Sequence, residues 1–156
     1  MRLLLHILLA TLLLLGGVGC SGFAHRIGPP TIEQIERLGS SGVEISLLIP
    51  NRSGKRLTIH EAKIYFYYKG TPLATAELRG GAQIEKKSDN HLTTRWKVEA
   101  DDPAALLLLE KRISESNFEA LSIDYRAQVQ IGAMKKTFSA EQVPLCEILY
   151  NFVPTK

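Results

Sequence analysis

From Val43 onward, apolar and polar residues alternate with a period of two. The clearest run is Leu121, Ile123, Tyr125, Ala127, Val129 and Ile131, interleaved with Ser122, Asp124, Arg126, Gln128 and Gln130. Such alternation predicts a long strand with one buried face. Gly132 ends it, and Met134, Phe138 and Ala140 then fall on one face of the next segment, so the two segments predict an antiparallel hairpin. Leu92, Thr94, Trp96 and Val98 alternate in the same way. Val43, Ile45, Leu47 and Ile49 form another strand pattern, closed by Pro50-Asn51-Arg52-Ser53-Gly54.

Between Leu57 and Tyr68 the apolar phase changes, from Leu57 and Ile59 to Ala62, Ile64, Phe66 and Tyr68. A change of phase inside one strand predicts a bulge near His60-Glu61. Lys69-Gly70 turns the chain into Pro72 to Arg79, Gly80-Gly81 turns it into Ala82 to Lys86, and the polar cluster Lys87-Ser88-Asp89-Asn90 predicts a further turn. Thr31 to Leu38 has Ile32, Ile35 and Leu38 at helical spacing but precedes only strands, and is assigned as a strand. One segment breaks the pattern. Asp101-Asp102-Pro103 offers a carboxylate N-cap with proline in the first turn, followed by helix formers from Ala104 to Ile113 and Lys111-Arg112 at the favourable end of the dipole. These elements predict an all-β fold, an antiparallel β-sandwich of about seven strands with one short inserted helix over residues 102–113.

The first 19 residues follow no such pattern. Arg2 precedes an apolar stretch from Leu3 to Leu15, then Gly16, Gly17 and Gly19, then Cys20. Thirteen helical residues span about 20 Å, short of the ~30 Å hydrocarbon core of a bilayer, so the stretch reads as a signal peptide. LLLLGGVGC resembles a bacterial lipoprotein leader, with Gly17 where leucine is usual. That resemblance implies cleavage before Cys20 and lipidation of Cys20. The expected organisation is then a signal peptide over 1–19, a lipidated tether over 20–30 broken by Gly22, Gly28, Pro29 and Pro30, and one domain over 31–156. Ser21, which is not acidic, implies by the same resemblance an outer-membrane location facing the periplasm. Cys146 is left without a disulfide partner, and its apolar neighbours predict a buried structural thiol.

Composition changes meaning once the leader is set aside. The whole chain has 19 Lys+Arg against 16 Asp+Glu. The 137 residues from Cys20 onward hold 18 against 16, and about 42% of them are apolar, a normal soluble value. A net +2 gives little support to nucleic-acid binding.

A resemblance runs through VEISLLIPNRSGKRLTIHEAKIYFYYKGTPLATAELRGGAQIEKKSDNHLTTRWKV. This segment resembles the type-2 late embryogenesis abundant family, whose core is also called the WHy domain. Pro50-Asn51 keep two residues of its Asn-Pro-Asn motif, with Ile49 in the leading position, and Gly70 with Leu73-Ala74 matches a second motif. The resemblance covers roughly Ile32 to Ala140. It implies an immunoglobulin-like sandwich and a non-catalytic role in stress tolerance or in protecting proteins and membranes.

Candidates for chemistry are few. His60 and His91 are the histidines of the domain, and neither has a ligand-spaced His, Cys or carboxylate on a helix; no CxxC or HExxH occurs. Gly39-Ser40-Ser41-Gly42 lacks the spacing and context of a nucleophile elbow. Asp101-Asp102 reads as helix capping, and the Asn51-Arg52-Ser53 sequon as a polar turn. Tyr65-Phe66-Tyr67-Tyr68 places aromatics on both strand faces: Phe66 and Tyr68 are expected to pack, leaving Tyr65 and Tyr67 as candidate binding residues for a protein or a sugar ring. Lys86-Lys87, Lys135-Lys136, Arg95 and Lys97 are expected to solvate strand edges. The sequence thus predicts a non-enzymatic lipoprotein without a cofactor or small-molecule substrate. Its expected partners are the membrane, through its lipid, and envelope proteins. A glycan-binding or assembly module is the alternative.

Overall fold

The computed structural model describes residues 26–28, 31–100, 102–115 and 117–146; Cys20, the signal peptide expected over 1–19 and Asp101 of the expected cap lie outside them. Eight strands and one helix occur among the described residues: β1 (Thr31–Leu38), β2 (Gly42–Asn51), β3 (Leu57–Tyr68), β4 (Thr71–Arg79), β5 (Ala82–Ile84), β6 (Ser88–Glu99), α1 (Pro103–Ser114), β7 (Leu121–Ile131) and β8 (Met134–Pro144). All strand pairs are antiparallel and follow the order β1-β2-β6-β4-β3-β7-β8, with β5 beside β3.

This continuous sheet becomes a sandwich at β4. Residues 71–77 of β4 pair with β3, whereas residues 75–79 pair with β6. The first part of β3 is taken up instead by β5, through Leu57 opposite Ile84 and Ile59 opposite Ala82. The sheet folds over so that alternate residues of β2 and β6 meet those of β3 and β7. Ile45, Leu47, Ile49 and Trp96 from one side join Ile64, Phe66, Ile123 and Val129 from the other in one apolar cluster.

The bulge expected near His60-Glu61 is present. Registration of β3 on β7 shifts between Ile59 and Glu61, so Ile59 and Ala62 both face inward. Gly81 passes directly over it: φ is +68°, and a Cβ there would lie 2.6 Å from the Ile59 carbonyl oxygen. Only glycine accepts both conditions without displacing the backbone.

Helix α1 starts where the carboxylate cap predicts. The Ala104 amide donates to Asp102 Oδ1 at 2.9 Å and the Ala105 amide to the Asp102 carbonyl at 3.0 Å. Leu109 is fully buried and Leu106 and Leu108 half-buried, while Leu107 faces solvent. The helix thus closes the end of the sandwich where β6 finishes and β7 begins.

Tyr68 packs against the core cluster that contains Phe66, as expected; it stays half-buried, with the Arg112 guanidinium 4.5 Å above its ring and donating to its hydroxyl at 2.6 Å. Three local expectations need correction. Cys146 is half-buried; its neighbour Leu145 fills the core instead. Met134 falls on the same face as Phe138 and Ala140, but at the tip of the edge strand β8 it is 46% exposed while they are half-buried. Ser88 to Asn90 belong to β6 rather than to a turn, because Ser88 pairs with Asn51 and Asn90 with Ile49.

Two buried amides secure this last region. Asn51 Oδ1 accepts from the Ser53 amide at 2.9 Å and the Ser53 hydroxyl at 2.6 Å, and its Nδ2 donates to the Lys55 carbonyl at 3.0 Å. Asn90 Oδ1 accepts from the Glu85 amide at 2.7 Å, and its Nδ2 donates to the carbonyls of Ile49, Glu85 and Ser88. A loop whose backbone polar groups face inward needs such side-chain partners. The Asn51-Arg52-Ser53 sequon is therefore structural: Asn51 has no exposed surface.

Candidate functional site

Beyond the bulge, β3 turns Lys63, Tyr65 and Tyr67 outward from the core. Register gives each of them a partner on both sides. Lys63 lies between Glu77 and Arg126, Tyr65 between Thr75 and Asp124, and Tyr67 between Pro72 and Ser122. Because β4 also pairs with β6, the Tyr65 row continues through Thr75 to Glu99, and the Lys63 row through Glu77 to Lys97. The outer face of β6-β4-β3-β7 thus presents two aromatic rings within a lattice of alternating charge.

Both tyrosines are half-buried, each for a visible reason. Lys63 Nζ stands 5.3 Å from the Tyr65 ring centroid, a cation–π arrangement. Tyr67 is hydrogen-bonded to Asp124. Loss of water contact, followed by the hydrogen bond and charge of Asp124, raises the Tyr67 phenol above its ordinary pKa. Asp124 is itself held, since its Oδ1 accepts from the Gln142 amide at 2.8 Å. That amide is presented by a break in the β7–β8 register between Ile123 and Tyr125, where Gln142 has φ +53°. On the far side Glu99 is ion-paired with Lys97, whose hydrogen bond lowers the carboxyl's pKa.

Tyr65 separates two shallow depressions. One, of about 450 Å³, is lined by Glu61, Lys63, Tyr65, Glu77, Arg126 and Gln128. The other, of about 150 Å³, is lined by Tyr65, Tyr67, Pro72, Thr75 and Glu99. Open, polar and carrying both signs of charge, this face suits hydrogen bonding and stacking. The sequence singled out Tyr65 and Tyr67 but not Asp124, Arg126 or Glu77, whose proximity depends on register alone.

The remaining candidates are dispersed. His60 Nε2 meets Gln130 at 3.0 Å, and His91 Nδ1 meets Glu33 at 2.9 Å. Ser40 and Ser41 lie in the exposed β1–β2 turn, and Asp102 caps α1. Among the described residues no group of three or more His, Cys, Asp or Glu is arranged to hold a metal ion, and no helix is long and apolar enough to cross a membrane.

No family model and no curated protein matches the chain. Solved structures similar to it include a protein from Archaeoglobus fulgidus, at 11% identity and a TM-score of 0.43, covering 73% of this chain and 90% of that one. The GAE domain of GGA2p from Saccharomyces cerevisiae matches at 10% identity and a TM-score of 0.35, over 76% and 89%. The yeast GGA1 GAE domain matches at 10% identity and a TM-score of 0.31, over 79% and 92%.

Proposed function

We propose that the chain is a non-enzymatic lipoprotein of the bacterial cell envelope, anchored through Cys20, whose sandwich acts by surface contact with envelope proteins. The late embryogenesis abundant resemblance suggests stress protection as the process served. The observation that supports the reading most is the way the N-terminal segment joins the fold. Ile27 forms a bridge with Asn51, and the Gly28 amide donates to the Pro50 carbonyl at 2.8 Å. The six residue-to-residue steps from Cys20 to Arg26 reach at most about 20 Å when extended. Lipid at Cys20 would therefore hold the sandwich by one end and leave the Tyr65–Tyr67 face, along its side, open to a partner.

Two experiments test the parts separately. Cys20→Ala is expected to move the protein from the membrane fraction to the soluble periplasm, because the acyl chains supply about 0.8 kcal/mol per buried CH₂; continued sedimentation with membranes would sink the anchor. For the contact face, Tyr65→Ala with Tyr67→Ala is expected to abolish co-purification of a stoichiometric envelope protein in native detergent extracts. The pair should leave the urea midpoint nearly unchanged, since both rings lie outside the core. Undiminished capture by the double variant would remove this face from the function.

A further inference from the structure

The chain's small net charge conceals a strong asymmetry. Four segments distant in sequence meet at one end of the sandwich. The Arg52 amide donates to the Arg26 carbonyl at 2.8 Å, joining the N-terminal segment to the β2–β3 loop. The Lys87 amide donates to the Ser53 carbonyl at 3.1 Å, bringing in the β5–β6 turn. The Gly132 amide donates to the Arg56 carbonyl at 2.9 Å, bringing in the β7–β8 hairpin.

Every one of these segments is basic. Arg26 comes from the first, Arg52, Lys55 and Arg56 from the loop, Lys86 and Lys87 from the turn, and Lys135 and Lys136 from the hairpin. The acids there are Glu85 and Asp89, held by Arg56 at 3.0 Å and Arg52 at 2.7 Å. Among the described residues, eight Lys and Arg but two Asp and Glu thus stand at this end, a local net of +6 in a chain whose total is +3. At the hairpin tip Met134 is 46% exposed beside Lys135, an apolar side chain set among cations. Helix α1 closes the other end.

We propose that this end is a docking surface for anionic lipid headgroups. The proposal rests on the lipid anchor proposed above, which would hold this same end within about 20 Å of the bilayer. Charge complementarity favours a membrane over a protein partner: the cations surround the point where the tether departs, and a membrane bearing that tether would be the nearest large surface. Basic residues so placed strengthen association with anionic leaflets, and an exposed Met can enter the headgroup boundary. Docking would stand the sandwich on the membrane with its strands pointing outward.

The test uses the full lipidated chain reconstituted into vesicles of phosphatidylcholine, alone or mixed with phosphatidylglycerol, with a headgroup-borne quencher. A fluorophore is placed at Ala133→Cys in the hairpin tip, or at Glu119→Cys on the opposite end, in a Cys146→Ser background. Quenching at position 133 is expected to rise with phosphatidylglycerol, and to vanish in about 1 M salt, where the Debye length is about 3 Å. Position 119 should stay unquenched throughout. Neutralising Lys86, Lys87 or Lys135 with glutamine is expected to reduce the docked-to-undocked ratio about fivefold for each residue changed, with an unchanged urea midpoint confirming that the fold survives. Quenching at 133 that ignores lipid charge and salt, in protein that still floats with the vesicles, would overturn the docking surface and spare the anchor. Flotation on anionic vesicles alone, abolished by salt, would support the surface and overturn the anchor. Failure to float on any vesicle would overturn both.

Discussion

Trp96→Ala is expected to lower the stability of the fold by about 3–5 kcal/mol, the range for removing a large aromatic side chain from a packed core. Trp96 is 3% exposed. Its Cα lies opposite Val43 of β2 and Leu78 of β4, so the indole sits at the seam where the sheet turns from one layer into the other. Collapse around the resulting cavity would have to move two strands that pair with β6 on opposite sides, so relaxation is limited and the upper part of the range applies. The indole Nε1 donates to Thr94 Oγ1 at 3.2 Å, and that hydroxyl donates to the Ile45 carbonyl at 3.3 Å. Trp96→Phe separates the two contributions. It keeps most of the volume, leaves Thr94 bonded to Ile45, and should cost about 1–2 kcal/mol through the lost hydrogen bond and the smaller ring. Urea unfolding followed by far-UV circular dichroism is the measurement, because the chain has a single Trp and both variants lose its fluorescence. A loss below about 1.5 kcal/mol for Trp96→Ala would place the indole outside the core.

Asn51→Leu should cost nearly as much for a different reason. The side chain is isosteric enough to fill the site, yet it removes two hydrogen bonds accepted and one donated. The Ser53 hydroxyl retains the Lys55 carbonyl at 3.0 Å as an acceptor, but the Ser53 amide loses its partner. Leaving a buried donor unsatisfied costs about 1–3 kcal/mol beyond the lost bonds, giving an expected total of about 3–4 kcal/mol. Ser53→Ala keeps its own amide bonded to Asn51 and should cost about half as much. Equal effects of the two substitutions would show that the Asn51 carbonyl is not the organising acceptor. The same burial carries a second expectation: Asn51, though in a sequon, is not glycosylated in the folded protein.

Period-two alternation located the strands, because every strand of a sandwich buries one face and the burial is written locally. The bulge was legible for the same reason, as the shift from Ile59 to Ala62 records a change of face within one strand. The helix was legible from Asp102 and Pro103, whose effects act within one turn. Edges were less legible. Met134 and Leu38 occupy apolar positions in the pattern, yet they stand exposed at the ends of edge strands, where no neighbouring strand covers them. Tyr68 follows the buried phase and packs against the core, but at the end of β3 it stays half-buried, and the Arg112 guanidinium over its ring comes from a segment distant in sequence. Asn90 read as turn because asparagine is common there, whereas its amide bonds a carbonyl 41 residues away. The candidate face was half legible. Tyr65 and Tyr67 stand out as outward aromatics in one strand, but Asp124, Glu77 and Arg126 join them only through registers that alternation does not encode. The clustering of basic residues at one end was concealed in the same way, since Lys86-Lys87 and Lys135-Lys136, far apart in sequence, each read as solvating its own strand edge.

The attachment of the N-terminal segment also has a mechanical consequence. The chain enters beside Asn51 and continues into β1, which runs antiparallel to β2 from Thr31 opposite Leu48 to Leu38 opposite Gly42. Tension applied through the N-terminus, away from that end, first detaches the short contact of residues 26–28. Beyond it the force lies along the axis of β1, and the bonds of its eight residues are loaded together in shear rather than opened one after another. A strand drawn lengthwise in this way resists far more than one peeled from its tip. A strand at the sheet's edge is therefore the element through which a pull on the tether reaches the rest of the protein.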